Sequence, residues 1–96
     1  MKFGICNEIF KDWKIDDVFT YCAKLGYDAV EVAPFTLAKY VTDIPAAERA
    51  RIRESAARAG IAISGIHWVL VQADGMFLTS PDPATRPRSA QYFCAR

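Results

Sequence analysis

Ile61-Ala62-Ile63-Ser64-Gly65-Ile66-His67-Trp68 is the stretch whose reading decides the fold. It is short, apolar and partly β-branched, and it follows Gly60, a helix stop. That pattern predicts a buried strand of a parallel sheet, apolar on both faces. It ends in His67, the only histidine of the chain. In sheets built from β-α units, ligands bind at the carboxyl ends of the strands. His67 is therefore either a structural ring hydrogen-bonded at a strand end or a group that meets a substrate or metal. Two earlier strands also end in polar residues, which favours the second reading.

Working outward, the first of those strands is predicted over 2–6, running out into Asn7 and Glu8. A helix follows over 15–25, with Asp16 as N-cap or first-turn acid. Ile15, Val18, Phe19, Cys22 and Leu25 make its apolar stripe, and Gly26 ends it. The second strand is predicted over 28–32. Glu31 lies in it, and a carboxylate in a buried strand is costly unless paired, solvated or ligating. A loop over 33–42 then reaches Asp43, read as the N-cap of a helix over 45–59 with Pro45 in its first turn. Arg49, Arg51, Arg53 and Arg58 interleave with Glu48 and Glu54 on that helix, which reads as a solvated face. The third strand is predicted over 61–67. Beyond a long loop, the start of a third helix is predicted over 86–96, with Thr85 as a possible cap.

The order is β-α-β-α-β-α. Consecutive parallel strands joined by right-handed crossovers lie side by side, giving sheet order 1-2-3. No Gly-x-Gly-x-x-Gly follows the first strand, no P-loop is present, and no Gly-x-Ser-x-Gly supports a hydrolase elbow. Ninety-six residues, 52% apolar and with net charge +1, make one small domain or a piece of a larger one. No basic block points to a nucleic-acid surface, and no stretch approaches the ~18–20 apolar residues of a membrane span. Met1-Lys2-Phe3-Gly4 carries no signal-peptide pattern, so a cytoplasmic protein is expected. Cys6, Cys22 and Cys94 stand in no metal-ligand spacing and read as reduced, packed thiols.

Four blocks carry a family resemblance: Lys2-Phe3-Gly4-Ile5-Cys6-Asn7, Leu25-Gly26-Tyr27-Asp28-Ala29-Val30-Glu31-Val32, Gly65-Ile66-His67-Trp68, and Leu78-Thr79-Ser80-Pro81-Asp82 with Arg86 behind. Together they resemble the N-terminal part of the xylose-isomerase-like TIM barrels. That family includes sugar and sugar-phosphate isomerases and epimerases, and endonuclease IV. Pro87 departs from it, standing where the family continues a helix. The resemblance implies an α/β fold in which these are the first three units of a (β/α)8 barrel of about 250 residues. It implies that Asn7, Glu31, His67 and Trp68 bind substrate at the barrel mouth. It also implies a divalent metal, Mn²⁺, Mg²⁺ or Zn²⁺, in the complete barrel, and proton transfer through an enediolate of a small sugar or hydroxy-keto acid.

The family's metal carboxylates and catalytic glutamates lie on later strands, so no catalytic residue and no metal ligand is assigned within this chain. It reads as an N-terminal fragment, silent alone. Two alternatives stand beside the isomerase. One is a zinc-dependent abasic-site nuclease, drawing on His67 and the arginines of 49–58. The other is a non-catalytic fragment that self-associates. Three strands leave two open edges, and an inner face including Ile5, Ala29 and Ile63 is expected to lie uncovered and apolar.

Overall fold

The computed structural model describes residues 1–95. Three parallel strands, β1 (Gly4–Cys6), β2 (Ala29–Val32) and β3 (Ala62–Ile66), form one sheet in the order β1-β2-β3. Helices α1 (Ile15–Lys24) and α2 (Ala46–Ala59) make the two crossovers, and α3 (Thr85–Cys94) follows a long loop. The α/β class and the 1-2-3 order agree with the sequence. Most boundaries move inward by one or two residues, as fraying ends do. Arg96, at the end of the expected third helix, lies outside the described residues.

The packing follows from the periodicity. Ile15, Val18, Phe19 and Cys22 recur at i, i+3, i+4 and i+7, and all are buried. Leu25, expected on that stripe, is 55% exposed. It is the C-cap, and the chain turns away at Gly26, whose φ of 93° is left-handed. Helix α2 buries Ile52, Ser55 and Ala56, and Gly60 (φ 75°) closes it. Both helices pack on Val30 and Val32 of β2, so they share one face of the sheet. Across that face Asp16 of α1 accepts from Arg51 of α2 at 2.8 Å and from Ser55 Oγ. Arg51 also holds Glu48 of its own helix, at 2.8 Å.

Two cap expectations are corrected. Helix α2 starts at Ala46 with Pro45 as its N-cap, while Asp43 closes a separate 3-10 turn, Val41–Asp43. Thr85 lies inside α3, whose N-cap is Ala84 with no side-chain cap, and Asp82 stands in the turn before it. Its carboxylate accepts from the Ala84 N–H at 3.1 Å and from Thr85 Oγ1 at 2.7 Å. Pro87 then falls in the first turn, where its missing N–H costs nothing.

The opposite sheet face is not the apolar surface expected. Ile5 and Ile63 pack against the helix-side core with Val30 and Val32. Alternation therefore sends Gly4, Cys6, Ala29 and Glu31 to the open face. On β3 an irregularity intervenes: Val30 pairs with Ile63, but Glu31 pairs with Gly65 and Val32 with Ile66. Ser64 is the extra residue of a β-bulge. The bulge restores Ile66 to the helix side, where it lines a hollow with Val32, Ile52 and Ile63. It also turns the following residue, His67, to the open face. A second, smaller core gathers Val41, Ile44, Val69, Ala73 and Tyr92, so α3 is seated on the loops rather than among the strand residues.

Candidate functional site

The carboxyl ends of the three strands meet on the open face. Cys6 is the last residue of β1 and pairs with Glu31 of β2, which pairs with Gly65 of β3. His67 follows β3, its backbone N–H donating to Val32 O at 2.8 Å. Through this register His67 Nδ1 comes within 3.2 Å of Glu31 Oε2. The Cys6 sulfur joins them, with one donor atom of each residue within 4.8 Å of the other two. All three side chains are partly exposed, His67 at 30% and Glu31 at 40%. Burial pushes the Cys6 thiol above its ordinary value, and the carboxylates of Glu8 and Glu31 push the same way.

Trp68 borders the cluster. Its backbone is left-handed (φ 55°), uncommon for a bulky residue. Its ring stacks on His67, with centroids 5.2 Å apart and planes at 23°. The tryptophan itself is 56% exposed, offering an aromatic face to whatever enters. Small residues keep the approach open. Gly65 lies beside the carboxylate, where a Cβ would meet Glu31 Oε1 at 3.9 Å, an ordinary van der Waals contact.

Of the four residues expected at the mouth, Glu31, His67 and Trp68 come together. Asn7 is 5% exposed and engaged in the scaffold. Its Oδ1 accepts the Ala33 N–H at 2.7 Å, and its Nδ2 donates to Thr36 Oγ1 at 2.8 Å. Thr36 Oγ1 donates in turn to Ala33 O at 2.6 Å. Asn7 thus ties the end of β1 to the loop leaving β2. Cys6, read from the sequence as a packed thiol, is the member of the cluster that sequence reasoning missed. The arginines of α2 lie across the sheet from His67, and Arg51 is committed to Glu48 and Asp16. Among the described residues no helix is long and apolar enough to cross a membrane.

No family model matches the chain, and no curated protein and no solved structure matches it. The likeness to the xylose-isomerase-like barrels therefore rests on the sequence blocks quoted above, and the site must be read from its own geometry.

Proposed function

We propose that the open strand-end rim is a substrate-binding surface of a sugar or hydroxy-keto acid isomerase or epimerase, built as the first three units of a TIM barrel. The observation that carries this reading is the Glu31–His67 pair under the Trp68 ring, at the carboxyl ends of parallel strands. A polyol offers hydroxyls that both donate and accept. Glu31 accepts from them, the imidazole of His67 does either, and an indole face suits the C–H surface of a sugar. Asn7 supports the rim by fixing Ala33 and Thr36. Proton transfer next to the carbonyl belongs to carboxylates that the resemblance places outside these 96 residues.

The cations implied by that resemblance differ in how they suit the rim. Mg²⁺ and Mn²⁺ want oxygen ligands. A thiol, an imidazole and one carboxylate are no oxygen cage, so no step is routed through such an ion here. The chain alone is silent on these substrates, and it self-associates through β1 and β3, each bonded on one side only.

The test is a titration of the chelator-treated full chain with ketoses, aldoses and hydroxy-keto acids, followed by the His67 ring proton resonances. Saturable shifts that disappear in Glu31→Gln and Trp68→Ala are expected. No saturable shift with any compound of the panel sinks the reading.

A further inference from the structure

A histidine paired with a glutamate is an ordinary strand-end contact. The Cys6 sulfur converging on the same point is not explained by that contact. We propose that Cys6 Sγ, a Glu31 carboxylate oxygen and His67 Nδ1 form a three-ligand site for a borderline-soft divalent cation of the zinc class, open at its fourth position.

The donor set selects the ion. Thiolate, imidazole and carboxylate are the three side-chain ligands of zinc, and a thiolate discriminates against Mg²⁺ and Ca²⁺. The spacing is close to what the ion needs. Zinc–ligand bonds of about 2.0–2.3 Å set tetrahedral donor atoms about 3.3–3.8 Å apart. His67 Nδ1 and Glu31 Oε2 are already 3.2 Å apart. The full set lies within 4.8 Å, so side-chain rotations on the order of 1 Å close the triangle.

The backbone holds the ligands in place. Cys6 and Glu31 are ladder partners, and the bulge at Ser64 is what brings His67 to their face. Cys6 and Glu31 are carried by strands, which position ligands more firmly than loops do, and His67 directly follows β3 with its N–H held by Val32 O. Trp68 fixes the plane of the imidazole by stacking on it. Three protein ligands with a solvent-facing gap is the arrangement of a reactive zinc site, while structural sites close with four. The fourth position falls to water or to an oxygen of a ligand on the rim.

This site stands on donor chemistry and holds or fails whether or not a sugar binds. The experiment uses Co²⁺ as the spectroscopic probe on the full chain, and then Zn²⁺ in competition with a chromophoric chelator. One Co²⁺ per chain is expected, with a thiolate-to-cobalt charge-transfer band in the near ultraviolet. Zn²⁺ displaces it, and a large excess of Mg²⁺ does not. Cys6→Ser removes the band and weakens zinc by at least ~100-fold, the upper end of what loss of an outer-shell partner costs. Glu31→Gln and His67→Asn keep the band and weaken zinc at least ~10-fold. Cys94→Ser, the exposed thiol of α3, changes nothing.

Overturning results are equally definite: no Co²⁺ bound, a band that survives Cys6→Ser, or a band lost in Cys94→Ser. If Cys6→Ser does not fold by circular dichroism, the two polar variants decide. Zinc affinity unchanged in both removes the site.

Discussion

The two faces of one three-stranded sheet are built on opposite rules. On the helix side Val30, Val32, Ile5 and Ile63 meet Phe19, Val18, Cys22, Ile52 and Ala56, and the core residues among them are almost wholly buried. On the other side stand Gly4, Ala29, Ala62 and Gly65, with Cys6, Glu31 and His67 at the strand ends. Side chains of the first face are large enough to fill space. Those of the second are small where the strands run and reactive where they stop. The free face is thus low along the strands and polar at its rim.

The contrast is open to direct attack. Phe19→Ala strikes the filled face at a residue with no exposed surface and is expected to cost ~3–5 kcal/mol in urea unfolding. A loss below ~1 kcal/mol would mean that this face is not the core. Asn7→Ala tests the seam between the faces. It strips the buried Ala33 N–H of its acceptor, and a loss of ~1–3 kcal/mol is expected by the same assay. A loss well below ~1 kcal/mol would mean that the bond to Ala33 carries little of the fold.

Asp16, which joins the two covering helices, provides a pH handle. Arg51 and then Ser55 hold its carboxyl below the usual carboxylate range. The folded value is thus lower than the unfolded one. Its contribution is present in full above about pH 4 and lost as pH falls through the folded value. Asp16→Asn removes that part of the acid sensitivity. For so exposed a carboxylate, screening keeps the neutral-pH cost at ~1 kcal/mol or less. Melts of the two proteins that coincide at every pH, neutral pH included, would show that the link is idle.

The smallest effects are expected on the open face. Glu31→Gln and His67→Ala should each move stability by ~1 kcal/mol or less, because partly exposed groups at a rim support little packing. Should either unfold the chain as readily as Phe19→Ala, the rim is structural and the contrast collapses.

Much of this contrast was legible in the sequence, and the exceptions are instructive. Val18, Phe19 and Cys22 announce the filled face by period, and Val30 and Val32 by alternation. The facing of His67 could not be reached that way. Ile5 and Ile63, expected with Ala29 on a bare inner face, are ladder partners of Val30 instead, and counting in twos from Ile63 through Gly65 puts His67 on the helix side. The bulge at Ser64 breaks the count. An isolated glycine inside a strand, Gly65, is the signal that marks such a place. Cys6 was missed for a different reason. Its nearness to Glu31 is a fact of ladder register, which joins residues 25 apart, and local pattern carries no such information. Asp43 was misplaced because a 3-10 turn and a helix N-terminus ask for the same residue types.

One bond sets an order of events for the chain. The hydroxyl of Tyr92 on α3 accepts the Val41 N–H at 2.8 Å, 51 positions apart in sequence. The contacts that make the filled face join nearest neighbours in the β-α-β order and can form early. Closing a loop of that span must wait for them, since its entropic cost comes before any return. The segment leaving β2 above the rim is therefore secured after the sheet exists. In native-state hydrogen exchange the Val41 amide should open well before those of β2, releasing the rim's flank while the sheet beneath remains intact.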